Sequence, residues 1–301
     1  MKKSTLLFAV LLAVCTLSAQ TKIIRTSGPK VLQERELAAF SAMKCPSTLN
    51  ITIMRSNEYK AEIHADSNLV DHVLTDVSNG TLSVSLKSGT TSKNSSIAIT
   101  IYTPHLSELV NTGTGIITIN SLREDEFTLV NSGTGDVRSS CLLVSKALVI
   151  TNAGTGDVDV SIMAQGDVII KNSGTGNIDL SVIQNVTSNM NVQNLGTGDI
   201  ILKKLSVGDL QIKNQGTGNI MLYGKADKMI LVNGGPGNVQ ANKLVVKTAH
   251  VIQNGVGDIN TYVTEKAYLT HKNKLGNVKI TGGGEVVMEM SMEELKDFLQ
   301  E

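Results

Sequence analysis

The sequence predicts an all-β protein folded as a right-handed, single-stranded parallel β-helix, a solenoid with coils of about twenty residues. A turn motif of the form Asn-x-Gly-Thr-Gly-Asp/Asn recurs nine times between residues 111 and 278, with its last copies degenerate. Apolar and polar residues alternate on both sides of the motif, which is typical of half-buried strands. The chain has no Trp and only 3% aromatic residues, so Val, Ile and Leu must fill its core.

The spacing of the motif carries the prediction of stacked coils. The second glycines of the nine copies stand at positions 115, 135, 156, 176, 198, 218, 237, 257 and 276. A unit this short cannot bury its own apolar face, but stacked units can, because equivalent residues then form columns. A separation of about 4.8 Å between neighbouring strands gives nine coils a length of roughly 40 Å. Right-handed winding is expected, since parallel crossover connections are nearly always right-handed.

Three columns of equivalent residues are predicted to face the interior. The first column, two residues after each second glycine, contains Ile117, Val137, Val158, Ile178, Ile200, Ile220, Val239, Ile259 and Val278. The column six residues before that glycine contains Leu129, Ile150, Ile170, Val192, Ile212, Leu231, Val251 and Thr270. The column eight residues before it contains Phe127, Leu148, Val168, Met190, Leu210, Met229, Ala249 and Tyr268. Each coil is therefore predicted as a strand, a glycine-rich turn, a second strand and a variable return, such as residues 184–189.

The Asn and Gly residues of the motif are interpreted as internal structure. The Asn four residues before the second glycine has the parity of the inward columns, and it predicts a ladder of stacked amides. This Asn column contains Asn111, Asn131, Asn152, Asn172, Asn194, Asn214 and Asn233. A ligand-binding role for these amides is the alternative. The glycines are predicted to supply backbone angles that side chains forbid, and to let adjacent coils approach closely.

The position after the second glycine raises the question of a metal. It contains Ile116, Asp136, Asp157, Asn177, Asp199, Asn219, Asn238, Asp258 and Asn277. The preferred interpretation is a turn position with an unusual φ, which Asn and Asp both tolerate. Calcium is the alternative, by analogy with nine-residue repeat-in-toxin motifs. The longer period, the Asp placed directly after Gly and the frequent Asn all oppose it, because calcium sites favour carboxylates. No metal, cofactor or catalytic residue is therefore predicted.

The N-terminal part of the mature chain lacks the motif but has strand patterns. Residues 37–290 are predicted as one solenoid domain, in which 37–110 form wider first coils and a β cap. Asn79-Gly80 stands between two strand-like runs and predicts a hairpin. Residues 20–36 are predicted as an extended lead, and the polar stretch 88–96 as a loop.

A short amphipathic helix is predicted over residues 291–301. Ser291-Met292-Glu293-Glu294 fits a capping box, and Met292, Leu295 and Leu299 share one helical face. This helix would close the open end of the solenoid, where unpaired strands otherwise invite edge pairing. Binding to a partner is the alternative role for the helix.

Residues 1–19 are typical of a signal peptide. Lys2 and Lys3 precede an apolar run, Leu6 to Val14, that is too short to span a bilayer. Cleavage after Ala19 is preferred over a lipid anchor at Cys15, because Val14 is bulkier than the residue that usually precedes a lipidated cysteine. No other apolar stretch approaches about 18 residues, so the mature protein is predicted to be exported without spanning a membrane. Its predicted location is the periplasm or the cell surface.

Charge and cysteine content exclude some classes of partner. Without residues 1–19 the chain has 25 basic and 27 acidic residues, which gives no electrostatic footprint for nucleic acid or an anionic membrane. Cys45 and Cys141 could pair in an exported protein, but small buried residues are the simpler interpretation. No Cys/His spacing resembles a zinc site.

A polysaccharide-active enzyme is the alternative function, because parallel β-helices also host lyases and hydrolases. Such a site needs acid and base groups gathered on adjacent coils. His250 and His271 are 21 residues apart, hence on neighbouring coils, with Lys247 and Lys272 nearby. The histidines 64, 72 and 105 show no spacing that links them to an acidic cluster. Isolated pairs of this kind are more often polar surface residues.

The order of these segments resembles a known family. Ser67-Asn68-Leu69 and Asn79-Gly80-Thr81-Leu82, followed by residues 97–109 and the Gly-x-Gly repeats, resemble the head GIN domain of auto-transporter adhesins of Bacteroides-like bacteria. The resemblance covers about residues 37–280. It implies a right-handed β-helix in the cell envelope and brings no catalytic residues.

The leading functional prediction is a non-catalytic structural or binding module of the cell envelope, such as an adhesin. A long rod with loops on its faces suits recognition of a surface glycan or protein, or self-association. The Asn, Gly and Asp/Asn positions account for nearly every recurring residue, so the repeat itself does not mark an active site.

Overall fold

A parallel β-solenoid is the dominant feature of the computed structural model, which describes residues 22–25, 28–88, 90–93, 97–183, 189–271 and 275–288. Twenty of its 22 strands belong to one continuous sheet. The predicted signal peptide with Cys15 and the predicted helix over 291–301 lie outside the described residues. No helix in the described part of the chain is long and apolar enough to cross a bilayer.

The first ten strands form the N-terminal part. They are β1 Lys22–Arg25, β2 Lys30–Glu36, β3 Ala42–Cys45, β4 Asn50–Arg55, β5 Lys60–Asp66, β6 Val73–Ser78, β7 Thr81–Leu86, β8 Thr90–Lys93, β9 Ala98–Thr103 and β10 Glu108–Asn111. A single 3-10 turn, Val70–His72, precedes β6. Strand β8 falls within the stretch that was predicted as a loop. Strands β1 and β2 occupy most of the predicted extended lead, and β2 pairs with β5 as part of the main sheet.

The remaining twelve strands form the regular coils. They are β11 Ile117–Asn131, β12 Val137–Asn152, β13 Val158–Ala164, β14 Asp167–Asn172, β15 Ile178–Val182, β16 Met190–Asn194, β17 Ile200–Asn214, β18 Ile220–Asn233, β19 Val239–Gln253, β20 Ile259–His271, β21 Val278–Thr281 and β22 Glu285–Met288. Strands β11 to β20 pair in parallel with the coils on both sides, and β21 and β22 pair with β20 alone. The members of the Asn column align with one another. The predicted parallel β-solenoid is confirmed.

Several returns are strands, which corrects the prediction of variable loops for those coils, whereas the return at residues 184–188 lies outside the described residues. Strand β12 runs for 16 residues from one glycine-rich turn to the next, and its pairing with β13 shifts register between Ser139 and Leu142. The chain therefore bends at a bulge without leaving the sheet. The physical reason is that alternation resumes directly after the bulge, where Leu142 and Val144 point inward and form a third wall of the core.

The predicted inward columns are buried, except in the last coil. There Ala249 pairs with Ala267 and Val251 with Leu269, so Tyr268 and Thr270 do not occupy the inward positions assigned to them. The last coil has one extra residue between its strand and Gly276, which shifts the parity of the strand by one.

The solenoid begins before the first recognisable motif. Residues 45–50 form an unrecognised copy of the turn, in which Cys45 pairs with Asn111 and a Cβ on Gly115 would meet the backbone of Leu49. The stacking order also departs from chain order. Strands β3 and β4 lie between the coil of β10 and β11 on one side and the coil of β7 and β9 on the other.

Antiparallel strands cover the N-terminal end of the stack, as the predicted β cap requires. Strand β5 pairs with β9, β2 pairs with β5, and β6 pairs with β7. The predicted hairpin joins β6 to β7, with φ of 49° at Asn79 and 71° at Gly80. Those two positive angles are those of the favoured two-residue hairpin turn. The cap keeps the first coil from presenting an open edge to other chains.

The two cysteines of the solenoid do not pair. Cys45 and Cys141 are both free thiols. Cys45 lies inside the first coils, where burial raises the pKa of its thiol to about 12. Cys141 is partly exposed on β12. The interpretation as a small buried residue is therefore confirmed for Cys45, and the disulfide alternative is wrong.

Candidate binding groove

The Asp/Asn position of the motif forms a hydrogen-bond ladder along the solenoid. Each side-chain Oδ1 accepts the backbone N–H of the equivalent residue in the next coil, at 2.7 to 3.0 Å. The acceptors are Asp136, Asp157, Asn177, Asp199, Asn219, Asn238 and Asp258. Asn50 makes the same bond to Ile116 at 2.9 Å, one coil earlier. Asp and Asn interchange here because both carry this acceptor.

This ladder corrects the interpretation of the position as a turn with unusual φ. Among the described residues other than glycine, only Asn79 and Lys204 have a positive φ. The ladder also weakens the calcium alternative, because the hydrogen bond uses the one side-chain oxygen of each Asn and one of the two oxygens of each Asp. No group of three or more metal-ligating side chains occurs within the described ranges.

Chelation should leave the melting temperature of the full chain unchanged. We expect the melting temperature to shift by less than about 1 °C in EDTA. A chelator lowers the melting temperature only when it removes a metal ion that is bound to the folded protein. Differential scanning fluorimetry with and without EDTA measures this directly. A fall of several degrees that excess calcium reverses would instead establish a metal-stabilised rod.

The Asn column is buried but does not form the predicted amide ladder. Asn111 donates to Asn131 Oδ1 at 2.9 Å, and this is the one amide-to-amide bond of the column within the described residues. Elsewhere the amides donate to turn carbonyls, as Asn194 does to Gly198 at 3.1 Å. The reason is that turn carbonyls facing the core need donors, and an Asn of the same coil or of the preceding coil reaches them.

The motif glycines serve close approach and not unusual angles. None of them has a positive φ. A Cβ on Gly176 would lie 2.1 Å from the carbonyl oxygen of Gly156 in the preceding coil. The two glycine columns therefore form a flat corner where backbone lies directly on backbone, with the Thr between them exposed.

The predicted histidine pair does not form a site. The backbone partner of His250 is Tyr268, whereas His271 pairs with Gln253, three residues further along. His250 is almost fully buried, which lowers the pKa of its imidazole, and its Nε2 lies 3.4 Å from Thr270 Oγ1. Lys247 forms an ion pair with Asp227 at 2.6 Å. Lys272 lies outside the described residues.

A groove of about 690 Å³ crosses the bends of four successive coils. Its lining residues are Arg55, His105, Arg123, Glu124, Asp125, Leu143, Val144, Ser145, Met163 and Gln165. Arg123 pairs with Leu143, and Leu143 pairs with Met163, so these three side chains form an outward column along the floor. Arg55 and His105 stand at the N-terminal end. The groove is therefore cationic at one end and apolar along its length.

The two carboxylates of the groove already have partners. Glu124 Oε1 accepts the backbone N–H of Leu106 at 2.8 Å, and its Oε2 lies 3.7 Å from His105 Nδ1. Asp125 forms an ion pair with Lys146 at 2.7 Å and accepts from Ser145 Oγ at 2.6 Å. The hydrogen bond from Lys146, followed by the one from Ser145, lowers the pKa of Asp125. Both acids therefore shape the wall of the groove.

The two arginines of the groove have no such partners. Arg55 and Arg123 are exposed, and neither makes an ion pair or hydrogen bond to another described residue. By contrast, Arg35 donates to the carbonyls of Val70 and Val73, and Arg138 pairs with Asp136 at 2.9 Å. Each free guanidinium presents five N–H donors in a planar fork that suits carboxylate or phosphate.

The sequence did not predict the groove, and of its lining residues only His105 was a candidate. The twenty-residue period of the repeat could have indicated the floor of the groove. Counting about twenty residues from Arg123 leads to Leu143 and then to Met163. A shallower depression of about 470 Å³ lies over the glycine corner, and its lining contains only Ser, Thr, Ala, Leu and Gly. Of these two depressions, the groove at the bends is the one lined by charged groups.

Comparison with known proteins identifies related sequences and structures. The family described as putative auto-transporter adhesin, head GIN domain, matches residues 39–183 and 170–284. A putative lipid binding protein from Parabacteroides distasonis is 16% identical, with 89% of this chain and 100% of that chain covered and a TM-score of 0.49. A putative adhesin from Parabacteroides merdae is 17% identical, with 89% and 99% covered and a TM-score of 0.43. No curated protein matches the chain.

Proposed function

Because the chain belongs to the head GIN domain family of putative auto-transporter adhesins, we propose that it is a non-catalytic binding module of the bacterial cell envelope. In this proposal the protein is exported to the periplasm or cell surface and recognises a surface glycan or protein. The observation that carries the proposal is the groove, whose lining combines an apolar floor with two guanidiniums that have no ion-pair partner among the described residues. A pocket with a few convergent polar groups on an apolar lining is the usual form of a ligand site.

The regular coils support this role by fixing the groove rigidly. Arg123, Leu143 and Met163 belong to three hydrogen-bonded strands, and the Asp/Asn ladder also joins the coils of Leu143 and Met163 at their glycine-rich turns. Side chains on such strands need little reordering when a ligand binds. Preorganisation of this kind improves affinity because less conformational entropy is lost.

The rival function, a polysaccharide-active enzyme, fits the groove less well. Glycoside hydrolysis needs one carboxyl group that stays protonated and one that is free to act as base or nucleophile. The lowered pKa of Asp125 is opposite to that of a general acid. Glu124 is engaged by a backbone N–H. These acids are therefore better suited to holding the bends than to proton transfer.

The proposal is tested by closing the groove without disturbing the core. Leu143 is half-buried on the floor, and Leu143→Glu places a carboxylate beside Arg123 on the neighbouring strand. We expect this variant to lose at least about tenfold in binding of labelled protein to cell surfaces, glycan arrays and matrix proteins. Ile169→Glu is the matched control, because Ile169 is half-buried on an outward face outside the groove.

Two outcomes would contradict the proposal. Equal binding by wild type and Leu143→Glu would remove the groove from the function. Absence of binding to any surface, together with release of fragments from a glycan panel, would favour the enzyme. In that case loss of cleavage in Glu124→Gln and Asp125→Asn variants would assign the catalytic groups to the groove.

A further inference from the structure

We propose that the groove binds an organic anion whose carboxylate, sulfate or phosphate lies between Arg55 and Arg123 and whose apolar body lies along Leu143 and Met163. This inference rests on the proposed function and names the chemistry of the ligand. Three observations support it: the guanidiniums without an ion-pair partner, the alignment of Arg123, Leu143 and Met163 on successive coils, and the volume of the groove.

The unused charge at the groove is positive. The groups that face it are Arg55, Arg123, His105, Glu124 and Asp125. Lys146 neutralises Asp125, and a backbone N–H occupies one oxygen of Glu124. Glu124 keeps its negative charge, so the two guanidiniums outnumber the one carboxylate of the lining that lacks a lysine or arginine partner. Two guanidiniums in the lining of one groove favour an anion with several acceptor oxygens, because bidentate bonds to such groups are the strongest that arginine makes.

The register gives the ligand a direction. Arg123, Leu143 and Met163 are equivalent residues of three successive coils, so Met163 lies about 10 Å from Arg123 along the solenoid. A charged group held at the arginines would therefore extend its remainder over two apolar side chains. Inorganic phosphate could fill only the charged end, and a neutral amphiphile could fill only the apolar length.

The volume and surroundings set the size of the ligand. About 690 Å³ lies within the range of roughly 300 to 1,000 Å³ that holds a small organic molecule. A long polyanion is disfavoured, because the exposed carboxylate of Glu126 lies three residues from Arg123 on the same strand. The geometry therefore points to one charged group on a compact apolar body.

Isothermal titration calorimetry of the full chain with octyl phosphate, below its micellar concentration, tests the inference. We expect octyl phosphate to bind at least about tenfold more tightly than inorganic phosphate or octyl glucoside.

Arg55→Gln and Arg123→Gln should each weaken the binding of octyl phosphate by about tenfold, and a higher salt concentration should weaken that binding further. Met163→Gln should weaken octyl phosphate while leaving inorganic phosphate unchanged. Lys213→Gln, an exposed charge far from the groove, is the control.

The comparison of probes separates the sources of the anion and the causes of failure. Trigalacturonate that binds more tightly than octyl phosphate and ignores Met163→Gln would overturn the apolar half of the inference. Octyl phosphate that binds the Arg55→Gln/Arg123→Gln double variant as well as wild type would overturn the whole. If binding to surfaces depends on Leu143 but octyl phosphate does not bind, this inference is overturned and the proposed function stands.

If octyl phosphate binds but the protein binds no surface, the proposed function is overturned and the groove remains a site for an organic anion.

Discussion

Replacement of Gly235 by alanine is expected to destabilise the solenoid by about 3 kcal/mol or more, which would lower its melting temperature well below that of the wild type. A Cβ on Gly235 would lie 2.4 Å from the carbonyl oxygen of Gly216 and 2.6 Å from the carbonyl carbon of Gln215. These are backbone atoms of the preceding coil, so no side-chain rotation can relieve the contact. The coils would have to separate at the corner, which would weaken the Asp/Asn ladder beside it.

The adjacent glycine provides the matched control. A Cβ on Gly234 would meet nothing closer than 3.9 Å, the Cγ of Gln215. Gly234→Ala should therefore be neutral or stabilise by about 0.5 kcal/mol, because alanine restricts the unfolded chain. Urea unfolding of the two variants measures the difference. Equal destabilisation by both would mean that backbone flexibility, and not the contact between coils, explains the glycine.

The parts of the fold that could be predicted are those that repeat. Nine turns in register specify parallel stacking, and inward residues such as Ile150 follow from alternation alone. The fold was predictable because each regular coil contacts mainly its two neighbours, so the order of coils in space is the order in sequence. A prediction from alternation fails when a coil gains a single residue. In the last coil one extra residue before Gly276 places Tyr268 outside the core.

The roles of the repeated residues were harder to predict than their positions. The sequence predicted a ladder for the Asn column and a turn for the Asp/Asn position, and the ladder forms at the Asp/Asn position instead. Which of the two forms a ladder depends on the distance from the side chain to the backbone of the neighbouring coil. Asn50 belongs to that ladder although Ser47 and Leu49 replace its glycines. Spacing alone could not reveal this copy, because what it shares with the others is backbone geometry.

The groove could not be predicted, because its residues come from different contexts. Arg55 ends a strand of the N-terminal part, and this strand is stacked out of chain order, with the later coil of β9 on its other side. Arg123 comes from a bend in β11, where the register shifts between Glu124 and Glu126. Only three-dimensional stacking brings the two guanidiniums to one end of the same groove.

The buried Asn column should be far less tolerant of charge than the Asp/Asn ladder, although the same substitution is conservative in sequence. Asn194 is fully buried; its amide donates to the carbonyl of Gly198 at 3.1 Å and its Oδ1 accepts from Gly196 N–H at 3.2 Å. Asn194→Asp would aim a carboxylate at a carbonyl oxygen without a counter-ion. We expect a loss of about 3 kcal/mol or more at pH 7, which is typical of an uncompensated buried charge.

The pH dependence identifies the cause of this loss. Burial would raise the pKa of the introduced carboxyl in the folded state above its unfolded value of about 3.9. The protonated acid can donate to Gly198, so the variant should approach wild-type stability below about pH 4 and lose it as pH rises through the raised pKa. Asn238→Asp is the control: Oδ1 of Asn238 accepts from the backbone N–H of Asp258 at 2.7 Å, a role that Asp fills elsewhere in the ladder. Urea unfolding at pH 4 and pH 7 should show a pH-dependent loss for Asn194→Asp and little loss for Asn238→Asp. A loss in Asn194→Asp that is independent of pH would indicate that shape, and not charge, excludes Asp from the Asn column.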